Sequence, residues 1–192
     1  MTTKPNPQGK GLTPIMDMLL ANRHFTDIPA KNIEQITAEL FTSLFILQSE
    51  FKFRIITNRS YWLYRNQDSF RLSIIHPKQW KNSSFGEFVG ECILQNDLTW
   101  TLTLGEQAIQ DNAFIQFIES KKTAFKKQLL QQTQLTEALP VYETALPFYQ
   151  RVLANGLACS LRISMDKSQI LQLDYKSALI ANNKEITFQA GN

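Results

Sequence analysis

Few residues of this 192-residue chain could carry chemistry, and their spacing limits it further. There are two histidines, His24 and His76, and two cysteines, Cys92 and Cys159, with no CxxC and no paired histidine spacing. A metal centre needs three or four such donors brought together, so we expect no metal and no cofactor. A Cys–His nucleophile would have to join Cys92 to His76 across neighbouring strands. A cysteine in mid-strand reads instead as a small core residue, and His76 ahead of Pro77 as a turn residue. Both cysteines are expected to be buried free thiols, in keeping with a reducing compartment. Glu87 and Glu91 are placed by strand period on one solvated face, whereas a glycosidase pair needs a cleft. Gln8-Gly9-Lys10-Gly11 has neither the preceding strand nor the spacing of a phosphate loop, and GxSxG, Walker and GxGxxG patterns are missing. No catalytic residue is assigned, and the reading leans away from an enzyme.

Rings are more abundant. Tyr61-Trp62-Leu63-Tyr64 is followed by the strand-like FRLSII, His76-Pro77 and Trp80, and later by Trp100. Strand period puts Tyr61 and Leu63 on one face and Trp62 and Tyr64 on the other. That second face either packs beneath a helix or offers a binding patch. The binding candidates are Tyr61, Trp62, Tyr64, Trp80 and Trp100, with Arg65, Arg71 and His76 as polar anchors. A second arrangement uses the same rings for architecture. Pro77 ends a strand, Trp80 folds back, and Trp80 and Trp100 close around Gly90 as an aromatic clasp.

The elements that would position these residues can be read from periodicity. Thr13-Pro14 reads as a helix start. Asp27-Ile28-Pro29 opens a longer helix with apolar steps at Ile33, Ile36, Leu40, Leu44, Leu47 and Phe51, widened by Phe41 and Phe45. A helix so apolar is expected to be covered on more than one side. FKFRIIT, YWLYR, FRLSII, EFVGECIL and LTWTLTL then alternate with period two and form an antiparallel meander. A helix over about 107–132 follows, with Phe117, Phe125 and Leu129 inward and Lys121, Lys122, Lys126 and Lys127 on a solvated face. PFYQRVLA makes a short helix stopped by Asn155-Gly156. LACSLRISM, QILQLDY and EITFQ read as strands. The expected whole is one α+β domain over residues 1–192: a flexible tip (1–12), a β-meander (51–104), a helical part (106–154) and C-terminal strands (157–190).

The segment over residues 61–103 resembles the uncharacterised domain-of-unknown-function family 2452. The resemblance rests on Tyr61-Trp62-Leu63-Tyr64, on Leu72-Ser73-Ile74-Ile75-His76-Pro77-Lys78-Gln79-Trp80, on Phe88, Gly90 and Leu94, and on Asp97-Leu98-Thr99-Trp100. The chain departs from the family pattern at His76, Gln79 and Lys81. The resemblance implies a recurring structural unit and brings no reaction, cofactor or catalytic residue.

The net charge of +3 is a mild bias, and only the lysine quartet concentrates it. MTTKPNPQGKGL has no apolar core or cleavage pattern, and no apolar run reaches the ~20 residues of a membrane span. A cytoplasmic protein without membrane contact is expected. The leading functional reading is a non-enzymatic interaction module that meets a protein partner, or itself, through the aromatic sheet and amphipathic helices. A small-ligand pocket or unrecognised enzyme is the alternative. Nucleic-acid binding by stacking beside the lysines comes third.

Overall fold

A computed structural model describes residues 28–67, 69–79, 85–141 and 143–189, with side chains in the last helix as far as Asn182. The expectations for the tip, Thr13-Pro14, His24 and Trp80 lie outside the described residues. The helix expected to open at Asp27-Ile28-Pro29 begins later and ends sooner: residues 28–32 are not helical, Asn32 is the cap, and Phe51 falls beyond the end at Leu47. In chain order the helices are α1 (Ile33–Leu47), α2 (Glu106–Gln110), α3 (Asn112–Leu129), α4 (Phe148–Lys167) and α5 (Tyr175–Gln189). The strands are β1 (Ser60–Asn66), β2 (Ser69–Ser73), β3 (Glu87–Leu94) and β4 (Trp100–Leu104). The class is α+β, with one antiparallel four-stranded sheet in the middle of the chain.

α1 starts where its chemistry permits. Asn32 and Gln35 form a capping box, the Asn32 side chain accepting from Gln35 N–H and the Gln35 side chain from Asn32 N–H. Ile33, Ile36, Leu40, Ile46 and Leu47 are all buried, as are Thr37 and Ser43. The helix is covered on more than one side: β4 meets it on one, α4 and α5 on others. Two ends of α4 hold the chain on either side of α1. Gln150 Nε2 donates to Ser49 O at 2.7 Å and Tyr149 Oη donates to Ile55 O at 3.3 Å. At the other end Ser164 Oγ donates to Pro29 O at 2.8 Å and Lys167 Nζ to Ile28 O at 2.6 Å.

The sheet order is β2-β1-β3-β4, which is not the order of a simple meander. β2 and β3 flank β1, so the chain from β2 to β3 must cross β1. β1 also pairs irregularly with β3. Leu63 faces Gly90 but Tyr64 faces Phe88, which leaves Val89 as an extra residue. Such a bulge reverses the side-chain alternation beyond it. Glu87 therefore partners Arg65 while Glu91 partners Trp62, so the two carboxylates lie on opposite faces. Strand period alone puts them together.

Four further expectations are corrected. FKFRIIT is not a strand. Ile55 N–H donates to Tyr149 Oη and Ile56 N–H to Tyr61 Oη, so tyrosine hydroxyls replace a neighbouring strand. The helix expected over 107–132 is broken at Asp111, whose carboxylate caps α3 by accepting from Phe114 N–H. Phe117 on α3 is 40% exposed rather than inward. The expected C-terminal strands are not strands: LACSLRISM lies in α4, which runs straight through Asn155-Gly156, QILQLDY is the turn-rich link from α4 into α5, and EITFQ lies in α5. LACSLRISM fits two periods. Leu157, Leu161 and Met165 satisfy a strand, but Leu153, Ala154, Leu157, Ala158, Leu161 and Met165 are the buried helical stripe. Packing on α1 outweighs the ~1 kcal/mol that glycine costs inside a helix.

An ion triad fixes the start of α1 to the β3–β4 turn. Lys31 Nζ lies 2.7 Å from Glu39 Oε2 and 2.6 Å from Asp97 Oδ2, with the lysine side chain 11% exposed. Burial opposes the charge on Asp97, but hydrogen bonds from Lys31 and Thr99 outweigh it and hold the carboxyl below its usual range. Burial pushes the Glu39 carboxyl up in spite of Lys31. A lowered carboxyl stabilises the fold above its unfolded value, and that contribution is lost as pH falls through the folded value; Glu39 acts in the opposite sense. Lys31→Met should cost on the order of 2–3 kcal/mol at neutral pH, because it leaves two part-buried carboxylates without their cation. Urea unfolding measures this. As pH falls, Glu39 takes up its proton first and Asp97 only below the usual carboxylate range, and the gap between variant and parent should shrink through both steps.

Candidate functional site

The sequence-derived ring set divides between the two faces of the sheet. Tyr61 and Trp100 are 0% and 1% exposed and meet edge to face at 6.0 Å on the face that packs against α1. Trp62 and Tyr64 lie on the other face, under the chain that crosses from β2 to β3. Tyr64 Oη donates to Ile75 O at 3.4 Å, its ring meets Phe85 at 5.0 Å, and Trp62 meets His76 edge-on at 5.2 Å. What covers these rings is thus a crossing segment, not a helix. His76 Nδ1 accepts from Lys78 N–H at 3.0 Å, as a turn residue would.

The polar anchors are engaged elsewhere. Arg65 bonds Glu87 and Asp111 and stacks over Phe114 at 5.2 Å. Its bond to Glu87, followed by that to Asp111, raises the guanidinium above its usual value. The amide of Phe114, then Arg65, lowers the Asp111 carboxyl. Arg71 Nε sits 3.0 Å from Glu50 Oε2. Both cysteines are free: Cys92 is buried, and Cys159 is exposed on α4 contrary to the expectation. Burial pushes the Cys92 thiol far above its ordinary range, which removes the thiolate that a nucleophile needs. Among the described residues, no three or more His, Cys, Asp or Glu side chains converge as a metal site would require. No described helix is long and apolar enough to cross a membrane.

A groove of about 910 Å³ lies between α1 and α3, floored by Phe70 of β2. Its walls follow from helical spacing. Phe41 and Phe45 are four residues apart on α1; Phe117, Lys121 and Phe125 are four apart on α3. The rings form an unbroken belt: Phe125 to Phe41 at 5.7 Å, Phe41 to Phe45 at 6.4 Å, Phe45 to Phe70 at 4.8 Å, and Phe70 to Phe117 at 6.2 Å. Lys121 Nζ stands 5.5 Å above the Phe117 ring. Lys122, Lys126 and Lys127 are exposed on the same helix. A second cleft of about 590 Å³ shares Phe41 and Phe125 and reaches Lys122, Lys126 and Leu179. The sequence showed the phenylalanines and lysines but treated the first as core and the second as solvated. The signal for a groove was the double stripe, Phe41/Phe45 with Phe117/Phe125, each too wide for the surface available to cover it.

Compared with protein-family models, curated protein sequences and solved structures, the chain matches none.

Proposed function

We propose that this protein is an interaction module whose α1–α3 groove receives an acidic amphipathic helix from a protein partner. The observation that carries the reading is the ring belt, five half-covered phenylalanines in series beside a cationic helix face. A visiting helix presents anchors at i, i+3 or i+4, and i+7, and a two-walled apolar trough suits that pattern. Lys121 on one wall favours a carboxylate on the visitor's polar side, and the exposed Lys122, Lys126 and Lys127 elsewhere on the same helix speed encounter. The segment that resembles family 2452 is essentially the sheet, so the groove takes little from that resemblance beyond Ser69 and Phe70 at its floor.

The test uses a synthetic helical peptide with Leu and Phe at those anchor positions and Glu elsewhere, titrated into the ¹⁵N-labelled full chain. Shifts should concentrate on α1 and α3, and Phe117→Asp should weaken binding at least tenfold, an effect of ~1.4 kcal/mol. Equal binding of a shuffled peptide, or shifts spread away from the groove, would refute the reading. A second reading, a small anionic amphiphile, draws on the adjoining cleft with its apolar lining and its Lys122 and Lys126. Laurate saturating that cleft while the peptide fails would favour it. Binding of a single-stranded oligonucleotide that collapses with salt would favour the nucleic-acid reading.

A further inference from the structure

The two edges of the sheet are finished differently. Beyond β2, Glu50 forms a parallel bridge with Arg71, its N–H donating to Phe70 O at 2.8 Å and its carbonyl accepting from Leu72 N–H at 3.0 Å. That edge is covered. At β4 the ladder to β3 is regular, from Gln95 N–H donating to Thr99 O to Gly105 N–H donating to Val89 O. Antiparallel alternation then points the backbone groups of Thr101 and Thr103 toward β3, and those of Trp100, Leu102 and Leu104 outward. Trp100 N–H confirms the direction, since it donates to Ser43 Oγ of α1 at 2.9 Å. Among the described residues, no hydrogen bond reaches the outward N–H and C=O of Leu102 or Leu104. The run from Leu98 to Gly105 carries no charge and no proline, and β4 has no bulge, so these three means of blunting an edge are lacking.

We infer that a second copy of this chain pairs with that edge, β4 against β4, to make one continuous eight-stranded sheet. The pattern is self-complementary. Because Ser43 already occupies Trp100 N–H, the two-fold axis falls on Thr103. Leu102 of one copy then stands opposite Leu104 of the other, and the pair of such contacts forms four hydrogen bonds. Thr103 meets its own counterpart as a close, non-hydrogen-bonded pair, and the leucines extend the apolar face across the junction. Thr101 and Thr103 are exposed in the single chain, so the pairing displaces no core residue. This surface is separate from the α1–α3 groove, and the inference does not depend on the proposed helix docking.

Sedimentation velocity on the full chain across a wide concentration range tests it. The parent should dimerise. Thr103→Lys alone and Thr103→Glu alone should each weaken the dimer at least tenfold, since like charges face each other across the axis, and an equimolar mixture should restore it. In a Cys159→Ser background, Thr103→Cys should cross-link under mild oxidation while Thr101→Cys, which faces Gly105 of the other copy, should not. A parent that stays monomeric at the highest concentration overturns the inference. So does a dimer that ignores Thr103→Lys and leaves Thr103→Cys unlinked.

Discussion

Trp100→Ala should remove about 3–5 kcal/mol of stability, a large share of the roughly 5–15 kcal/mol that a domain of this kind holds in reserve. The indole is 1% exposed, opposite Leu94 on β3, edge-on to Tyr61, and joined through its backbone N–H to Ser43 of α1. It therefore connects the sheet to a helix that is covered on several sides. Emptying the site exposes the cavity walls on both, and neither can collapse into it, because α1 is held from its other sides by α4. Trp100→Phe separates the contributions. Among the described residues the buried indole Nε1 has no hydrogen-bond partner. Phenylalanine deletes that unpaired donor while keeping a ring beside Tyr61, so its cost should be only ~1–2 kcal/mol. Urea unfolding followed by far-UV circular dichroism measures both, since tryptophan fluorescence would itself change. An alanine variant within ~1 kcal/mol of the parent would show that Trp100 does not couple sheet and helix.

How far the fold is legible depends on which residues decide each part. The hydrophobic steps of α1 and the alternation of β4 are local and strong, and both elements form within the stretches those patterns mark, although α1 is shorter at both ends than its pattern and β4 begins at Trp100 rather than Leu98. The hairpin between β1 and β2 is equally local: Gln67 takes a positive φ of 55° in a tight turn. Strand order is a different matter. Pro77 ends a strand, but nothing near it says that the next one lands beyond β1 rather than beside β2. The β3 bulge is similarly hidden, because Val89-Gly90 reads as uninterrupted alternation until Tyr64 selects Phe88 as its partner. In α4 the small residues Ala154, Gly156, Ala158 and Ser160 decided the outcome. All four are buried, which widens the covered stripe of α4 well beyond the leucines, and burial on that scale overrides both the Asn-Gly stop and the strand-like period. The binding candidates divided for the same reason. Tyr61 and Trp62 are adjacent in sequence and so must face apart, while the groove is built from Phe41, Phe70 and Phe117, which only the tertiary fold brings together. Each of those phenylalanines was visible as part of a stripe. The gap left between the α1 and α3 stripes was not, since it depends on how far the two helices are held apart.

Gly90→Ala should be nearly as damaging as loss of Trp100, at about 3 kcal/mol or more, although it adds a single methyl group. Gly90 stands between Leu63 on β1 and Leu104 on β4, next to the bulge at Val89. A Cβ there would meet Thr103 O at 2.4 Å, Leu102 Cδ1 at 2.9 Å and Leu104 Cα at 3.1 Å. The leucine methyl could swing away, but two of the three atoms are β4 backbone. Relief requires β4 to withdraw, which stretches its bonds to β3 and pulls at Trp100 four residues before Leu104. The aromatic clasp expected around Gly90 is thus replaced by a backbone approach, with Trp100 at the far end of the β3–β4 pair. The sign of the effect is diagnostic. Where alanine fits, replacing glycine stabilises by about 0.4–1 kcal/mol through the unfolded chain, so a neutral or stabilising result would mean that β4 does not approach this closely. Gly105→Ala provides the contrast. Its Cβ would meet the Phe88 ring at 2.7 Å and no backbone atom within 3.4 Å, so a side-chain shift can relieve it and the loss should be distinctly smaller. Amide shifts along β4 would locate the damage: in Gly90→Ala they should change from Trp100 to Leu104, and in Gly105→Ala only near Phe88.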